Sequence, residues 1–187
     1  MKSQIKTKKY IIINKPRKVL SSTVDERGRI TVIDLLNKKD RNVRIAGRLD
    51  YNSCGLMILT DDGHLIDAIT SPKNNIQKEY LLTIREKITE SDLKRVKEGV
   101  IIDGMKVSFS GIYMDERKDV KNTIRVILTE GKKRELRRAL EFFGYHVINL
   151  KRIRIGNVKL ISLREGKYRY MTEVEIEGLK NLAGLNV

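Results

Sequence analysis

Short runs of β-branched and other apolar residues, each ended by a polar or turn-forming segment, recur along the whole chain. In the first half these runs are "YIIIN", "NVRIAG", "GLMILT" and "QKEYLLTIRE". In the second half they are "VIID", "KVSFSGIYMD", "TIRVILTE" and "HVINLKRIRIG", and the closing "EVEIEGL" alternates in the same way. Such runs are typical of buried or half-buried strands. The pattern therefore predicts more strands than helices.

Four helices are predicted between these strands. "TVIDLL" has Thr31 as a candidate cap, and "HLIDAITS" ends before Pro72, which disfavours a helical residue ahead of it. "TESDLKRVKEGV" opens with Thr89, three residues before Asp92, as in a capping box. "KKRELRRALEFFG" carries an apolar stripe at helical spacing, formed by Leu136, Ala139, Leu140 and Phe143. Helices scattered among strands, without strict alternation, indicate the α+β class.

The charge of the chain is strongly positive. Its 187 residues include 39 Lys and Arg against 24 Asp and Glu, which gives a formal net charge of +15. Each phosphate neutralised by Lys or Arg releases condensed counterions, so this excess favours a nucleic-acid partner. Two alternative explanations of the positive charge are binding to an anionic membrane surface and an effect on solubility alone. The length fits one folded unit, so we expect a basic flexible tail at 1–9 and one domain at 10–187 with two lobes sharing a sheet.

Several kinds of site are disfavoured by composition. Cys54 is the one cysteine, which excludes an intrachain disulfide, and His64 and His146 lie far apart, which disfavours a zinc site. We therefore expect no metal. The apolar runs are far shorter than the roughly 20 residues of a membrane span, and no secretory leader is recognisable. These features lead us to expect a cytoplasmic protein without a membrane partner.

Asp50 occupies a short loop between two predicted strands, in "VRIAGRLDYNSCGLMIL". A loop held by a rigid scaffold can present a side chain to a ligand. If the segment is extended, Arg48 and Asp50 point to the same side and place a cation beside a carboxylate. The residues alone also allow a simpler interpretation, in which Asp50 bonds the amides of Asn52 or Ser53 in a turn.

The start of the helix at "GKKRELRR" is a second candidate site. Its cations lie where the helix dipole is already positive, so they are poorly placed for helix stability and favour a bound anion. In the alternative interpretation no anion binds, and Glu135 and Glu141 partly offset the repulsion among these cations. Arg137 borders the apolar stripe and can point into a half-buried site. The basic residues of this segment are Lys132, Lys133, Arg134, Arg137 and Arg138.

Four segments together resemble the RsuA-type ribosomal RNA pseudouridine synthases. They are "YIIINKP", "GRLDYNSCGLMILTDDG", "KEY" and "EGKKRELRRALEFFGYHVINLKRIRIGNVKL", in the order and with the spacing of that family, over roughly residues 9–178. The resemblance implies a mixed, mostly antiparallel central sheet with flanking helices and a central RNA-binding cleft. It also implies the isomerisation of a uridine in ribosomal RNA, with large-subunit RNA favoured as the substrate.

The resemblance assigns roles to individual residues. Asp50 matches the catalytic aspartate, and Arg48 matches the arginine that fills the space left by the flipped base. Tyr80 matches the aromatic residue on the target uracil, although a lone strand tyrosine is more often a packing residue. Arg137 matches the basic residue that pairs with the carboxylate, and Leu136 lies beside it in the pocket wall. The candidates for RNA binding are Lys15, Lys132, Lys133, Arg134 and Arg138.

The family chemistry needs no metal or organic cofactor. The expected partner is ribosomal RNA or a pre-ribosomal particle, and we expect a monomer. Glu135 departs from the glutamine usual at its position, which removes a hydrogen-bond donor. The S4-type domain that often precedes the catalytic part is not recognisable here, so the sequence is either an S4-free member or part of a longer protein. A non-catalytic RNA-binding or ribosome-assembly factor is the competing hypothesis.

Overall fold

A mixed β-sheet dominates the protein. The computed structural model describes residues 7–102, 104–107, 109–115, 122–129 and 134–185. Within them, a nine-stranded sheet has the main strand order β11-β1-β3-β9-β4-β8-β7, with β2 paired to β3 and β10 to β9, and β5 and β6 form a separate hairpin. The strands are β1 Tyr10–Lys15, β2 Arg44–Ala46, β3 Cys54–Thr60, β4 Lys78–Ile84, β5 Val100–Ile102, β6 Met105–Val107, β7 Gly111–Met114, β8 Thr123–Leu128, β9 Val147–Ile155, β10 Val158–Lys159 and β11 Tyr168–Tyr170.

Within the described residues, four helices flank this sheet: α1 Gly63–Thr70, α2 Glu90–Lys97, α3 Glu135–Phe142 and α4 Glu173–Leu182. Short 3-10 segments lie at Lys38–Asp40 and Pro72–Asn74. Among the described strand pairs, β3 and β9 alone run parallel, over a short stretch at Cys54 and Gly55. The predicted α+β class and the mostly antiparallel central sheet are thus confirmed.

The long apolar runs are explained by burial on both faces of the sheet. On β1, Ile11 and Ile13 belong to one hydrophobic core, whereas Ile12 between them belongs to a second core. Successive strand residues point to opposite faces, so the two cores lie on opposite sides of β1. The sequence of a strand that is buried on both faces is continuously apolar and does not alternate between apolar and polar residues. This is the pattern that "YIII" shows.

Two secondary-structure predictions are wrong. "TVIDLL" forms a bridge residue and consecutive turns, because the Asp34 carboxylate accepts both the amide and the hydroxyl of Thr31, each at 2.8 Å, and closes a single turn. "EVEIEGL" is helical, as part of α4. Its start is a capping box in which Thr172 Oγ1 accepts the Glu175 amide at 3.2 Å and the Glu175 carboxylate accepts the Thr172 amide at 2.9 Å. The preceding threonine thus outweighs the apparent alternation.

The segment "TDDG" forms the start of α1. Asp62 caps α1 by accepting the Leu65 amide at 3.4 Å, and it also accepts the Tyr10 hydroxyl at 2.8 Å. Gly63 is the first residue of α1, and its φ is not positive. The segment therefore ends β3 by entering a helix directly.

Gly55 lies where β3 and β9 approach too closely for a side chain. A Cβ at Gly55 would stand 2.2 Å from the Arg152 carbonyl oxygen and 2.7 Å from its amide nitrogen, and φ is +107°. We expect Gly55→Ala to lower the free energy of unfolding in urea by about 3 kcal/mol or more, since backbone must move.

The matched control for this prediction is Gly104→Ala. Gly104 also has a positive φ, +73°, but among the described residues no atom would lie within 4 Å of a Cβ added there. It should therefore lose only about 1 kcal/mol, from backbone conformation alone. Equal losses in the two variants would show that the approach of β9 is not the constraint.

Candidate active site

Arg152 on β9 fixes the start of the loop that carries Asp50. Its side chain is 2% exposed, and Nε donates to the Leu56 carbonyl at 2.8 Å. Nη2 donates to the Gly47 carbonyl at 3.0 Å and Nη1 to the Arg48 carbonyl at 3.5 Å. Gly47 itself has a φ of +87°, which glycine adopts without strain. The loop is thus tied across the sheet before it reaches Asp50.

The rest of the loop is held in the same way, through its carbonyl groups. Leu49 is buried, and its amide donates to Ser21 Oγ at 3.1 Å. The next three loop carbonyls accept one hydrogen bond each: Leu49 from Ser21 Oγ (2.6 Å), Asp50 from the Ser53 amide (3.0 Å) and Tyr51 from the Lys18 amide (2.8 Å). Five successive carbonyls therefore have partners, so the backbone around Asp50 is fixed by the fold.

The Asp50 side chain is left out of this network. It is half-buried, and the described residues supply no hydrogen bond to its carboxylate and no ion pair within 4.0 Å. The turn at Asp50 is closed by its main-chain carbonyl and not by its side chain. The interpretation of Asp50 as a turn former is therefore not needed to explain the loop. Its carboxylate is open to a ligand.

Asp50 opens into a cleft of about 740 Å³. This volume is within the range of pockets that bind a small molecule or a single nucleotide. The cleft brings together candidates from three distant segments: Arg48, Asp50, Tyr80, Arg134, Leu136 and Arg137. Arg138 is half-buried on α3 and is not a lining residue. Lys132 and Lys133 lie outside the described residues, and of Glu135 only the backbone is described.

Arg137 enters the cleft from α3 as a buried cation. Its side chain is 7% exposed, and Nη1 donates to the Val147 carbonyl at 2.6 Å. Nε and Nη2 have no hydrogen-bond partner among the described residues. Burial and the nearby Arg134 charge lower the pKa of the Arg137 guanidinium, while the Asp50 carboxylate opposes this shift. Arg137 and Asp50 thus line the same cleft and interact electrostatically. The described residues do not show the direct ion pair between them that the resemblance implied.

Lys15 does not fit the RNA contact expected for it. The side chain is 0% exposed, and Nζ donates to the Pro16 carbonyl at 2.9 Å and the Val19 carbonyl at 2.7 Å. Burial lowers the pKa of Lys15 to about 8, and the charge of Asp50 partly offsets that effect. A buried ammonium cannot reach a phosphate on the surface, so Lys15 cannot serve as an RNA-binding residue. It lies close enough to Asp50 to act on it electrostatically.

Two further buried cations line the cleft, Lys78 and Arg152, and neither was predicted from the sequence. Lys78 precedes Tyr80 by two strand residues, so its place on the same face could have been inferred from "KEY". Arg152 gives no comparable signal, because its contacts join β9 to residues about 100 positions earlier. Among the described lining residues, Asp50 is the one acidic side chain, against the cations Arg48, Lys78, Arg134, Arg137 and Arg152.

The described residues contain no group of three or more His, Cys, Asp and Glu side chains that could hold a metal ion. Within the same part of the chain, no helix is both long and apolar enough to cross a membrane.

Comparisons of the sequence with known proteins all identify the same family. A sequence model of the family described as RNA pseudouridylate synthase matches residues 9–142. An uncharacterized RNA pseudouridine synthase of Aquifex aeolicus is 37% identical over 180 residues, which are 95% of this chain and 72% of that protein. The ribosomal large subunit pseudouridine synthase B of Bacillus subtilis is 30% identical over 177 residues, 93% of this chain and 72% of that protein.

A solved structure is similar as well. The crystal structure of a pseudouridylate synthase has a TM-score of 0.82 and 32% sequence identity to this chain, and the match covers 94% of this chain and 75% of that one. The family model, the two relatives and the solved structure each match most of this chain. The chain therefore belongs to the RsuA-type family of RNA pseudouridine synthases, which are isomerases.

Proposed function

We propose that this protein converts one uridine of large-subunit ribosomal RNA to pseudouridine, with Asp50 as the catalytic carboxylate. The observation that carries the proposal is the open carboxylate of Asp50, on a loop with five occupied carbonyls, inside a cleft lined otherwise by cations. The described strands from β1 to β11 share one sheet, apart from the β5–β6 hairpin, which supports a single catalytic domain over residues 10–187. We expect a monomer without a cofactor.

The reaction breaks the N1–C1′ glycosidic bond, turns the uracil and joins C5 to C1′. Asp50 acts either by attacking C1′ or by assisting the loss of the 2′ proton. In both cases the carboxylate acts in its charged form. Arg137 supplies a positive charge in the same cleft, because a guanidinium stays protonated, and its Nε and Nη2 have no hydrogen-bond partner among the described residues.

The target nucleotide must leave the RNA stack before Asp50 can reach C1′. Extrusion costs a few kcal/mol, which side chains that occupy the gap can partly offset. Arg48 is exposed at the mouth of the cleft and has the length for that role. Tyr80 and Leu136 are both buried and both line the cleft, so they can pack against the extruded uracil.

A role in binding alone is poorly supported by the site. Buried cations without partners lower stability, and a lone carboxylate among them repels phosphate. A surface that only binds RNA gains nothing from these two features. Arg137 and Asp50 together therefore favour catalysis over a non-catalytic assembly role.

Tritium release tests the proposal directly. Transcripts of large-subunit ribosomal RNA, small-subunit ribosomal RNA and transfer RNA would carry 5-tritiated uridine, and pseudouridine formation expels that tritium to water. We expect the protein to release tritium from the large-subunit transcript, with a plateau near one equivalent per molecule. Release from another transcript alone would overturn the substrate assignment, and no release from any of them would overturn the reaction.

Arg134 is expected to contact a phosphate, because it is exposed and lies at the cleft mouth where α3 begins. Arg134→Ala should weaken RNA binding at low salt and reduce the slope of log K against log salt by about 1, as for the loss of one phosphate contact. Fluorescence anisotropy at several salt concentrations measures both quantities.

Lys97→Ala is the control for this measurement. Lys97 is exposed at the end of α2, which packs against β7 at the edge of the sheet, and it is not a cleft residue. Removing the same charge there should change the affinity and the salt slope much less. Equal slopes for Arg134→Ala and Lys97→Ala would place the Arg134 effect in general charge and not in a contact.

A further inference from the structure

Lys78 lies in the floor of the cleft, next to the residues expected to hold the base. It begins β4 and precedes Tyr80 by two residues, so both side chains point to one face of the strand. Both line the cleft with Asp50. Glu79 between them points to the other face, where its carboxylate accepts Arg125 Nη1 and Arg154 Nε, each at 2.8 Å. The nearest acid in sequence is therefore not available to Lys78.

The ammonium of Lys78 is buried with little to bind. Its side chain is 6% exposed, and its hydrogen bond within the described residues goes to the Thr129 carbonyl at 3.3 Å. An ammonium group has three donors, so two have no acceptor in the described part of the chain. The other charged and titratable groups that face the same cleft, among the described residues, are Arg48, Asp50 and Tyr51 from the loop, Tyr80 from β4, Arg134 and Arg137 at α3, and Arg152 from β9. A desolvated cation that is surrounded mainly by other cations favours the binding of an anionic ligand.

The reaction supplies an anion at this place. When the N1–C1′ bond breaks, its electron pair leaves with the uracil, which becomes an anion with its charge spread over N1, O2 and O4. Asp50 loses its own charge in the same step, since it becomes an ester by attacking C1′ or a neutral acid by taking up the 2′ proton. One negative charge thus moves from Asp50 to the uracil. Arg137 can stabilise the negative charge while it is on Asp50. A second cation is required to stabilise it once it is on the uracil.

We propose that Lys78 is a catalytic residue whose ammonium stabilises the detached uracil anion through its O2 or O4 atom. This inference rests on the proposed function. A donor placed where charge develops, in a site that excludes water, contributes mainly to the rate and little to ground-state binding. Lys78 therefore differs in role from Arg134, which contacts the RNA backbone.

The ionisation of Lys78 agrees with this role. Burial, helped by the Arg152 charge, lowers the pKa of Lys78 to about 8. The ammonium form is present below this pH and is lost above it. The rate of the wild-type protein should therefore fall as the pH rises through about 8. Lys78→Arg keeps a cation that does not titrate in this range, so the alkaline fall should be absent or displaced upward in that variant.

Lys78→Met is the decisive variant, because methionine has a similar length and no charge. We expect its single-turnover rate on the ribosomal RNA substrate to fall by about 10²- to 10³-fold, with the RNA dissociation constant nearly unchanged.

5-Fluorouracil is a more acidic base than uracil and a better leaving group. The loss in Lys78→Met should therefore be severalfold smaller when the target is 5-fluorouridine, followed as its consumption by nucleoside mass spectrometry.

A merely structural role for Lys78 would lower the rates on uridine and 5-fluorouridine by the same factor, and that result would overturn the inference. A wild-type rate that rises through pH 8 would also overturn it, because the neutral amine would then be the active form. Circular dichroism and thermal unfolding check that Lys78→Met folds; if it does not, Lys78→Arg and the wild-type pH profile decide. Failure of the proposed function is recognised separately, since the wild-type protein would then release no tritium.

Discussion

Asp50→Asn should abolish pseudouridine formation while leaving RNA binding intact. The amide has the shape of the carboxylate but can neither attack C1′ nor take up a proton. We expect the single-turnover rate to fall by about 10⁴- to 10⁶-fold, as for the removal of an essential catalytic group. The loop should keep its conformation, because the five hydrogen bonds to its main-chain carbonyls do not involve the Asp50 side chain.

Tritium release from the large-subunit transcript measures this effect, and anisotropy measures RNA binding by the same variant. Asp67→Asn is the matched control, since Asp67 is exposed on α1 and is not a cleft residue. It makes the same change of charge elsewhere and should retain the wild-type rate. Tritium release by Asp50→Asn at the rate of Asp67→Asn would refute the assignment of Asp50 as the catalytic carboxylate.

Most of the sheet could be predicted from the sequence, because its strands are short apolar runs bounded by turns. The run "YIIIN" predicts β1 directly, since a strand buried on both faces must be apolar throughout. The last helix could not be read from its apolar spacing. Its side chains alternate locally like a strand, and the capping box of Thr172 and Glu175 decides in favour of a helix.

The site was only partly predictable, for a physical reason. Asp50, Tyr80 and Arg137 were found through the segments that resemble a known family, and the structure brings all three to one cleft. Arg152 acts through contacts with carbonyls on other strands, and no local pattern encodes such contacts. For Lys15 the sequence indicates a charge but not whether that charge is buried; the structure shows it to be fully buried.

The cleft places cations where they do not benefit the stability of the fold. Lys78 and Arg137 are each more than nine-tenths buried, and neither has an ion pair among the described residues. Arg154, which does not line the cleft, is by contrast paired with Glu79 at 2.8 Å. Since desolvated charges lower stability unless they are paired, the presence of these two cations in the cleft favours a role in function over a role in stability.

Arg137→Met should therefore separate activity from stability. We expect the rate of pseudouridine formation to fall by about 10²- to 10³-fold, because the cleft loses a buried cation whose charge interacts with that of Asp50. We also expect the free energy of unfolding to stay the same or to rise by about 1–3 kcal/mol, because two buried donors without partners are removed. Single-turnover kinetics and urea unfolding measure the two effects on one preparation.

Arg125→Met is the opposite control. Arg125 pairs with Glu79 at 2.8 Å and Asp115 at 3.5 Å, and it is not a cleft residue. This variant should lose about 1 kcal/mol of stability and keep its rate, because two acids lose a partner while the site is untouched. If Arg137→Met instead destabilised the protein and kept its rate, its hydrogen bond to Val147 would be its main role. The charge that supports Asp50 would then have to come from Lys15, whose pKa is raised by the Asp50 charge against the larger effect of burial.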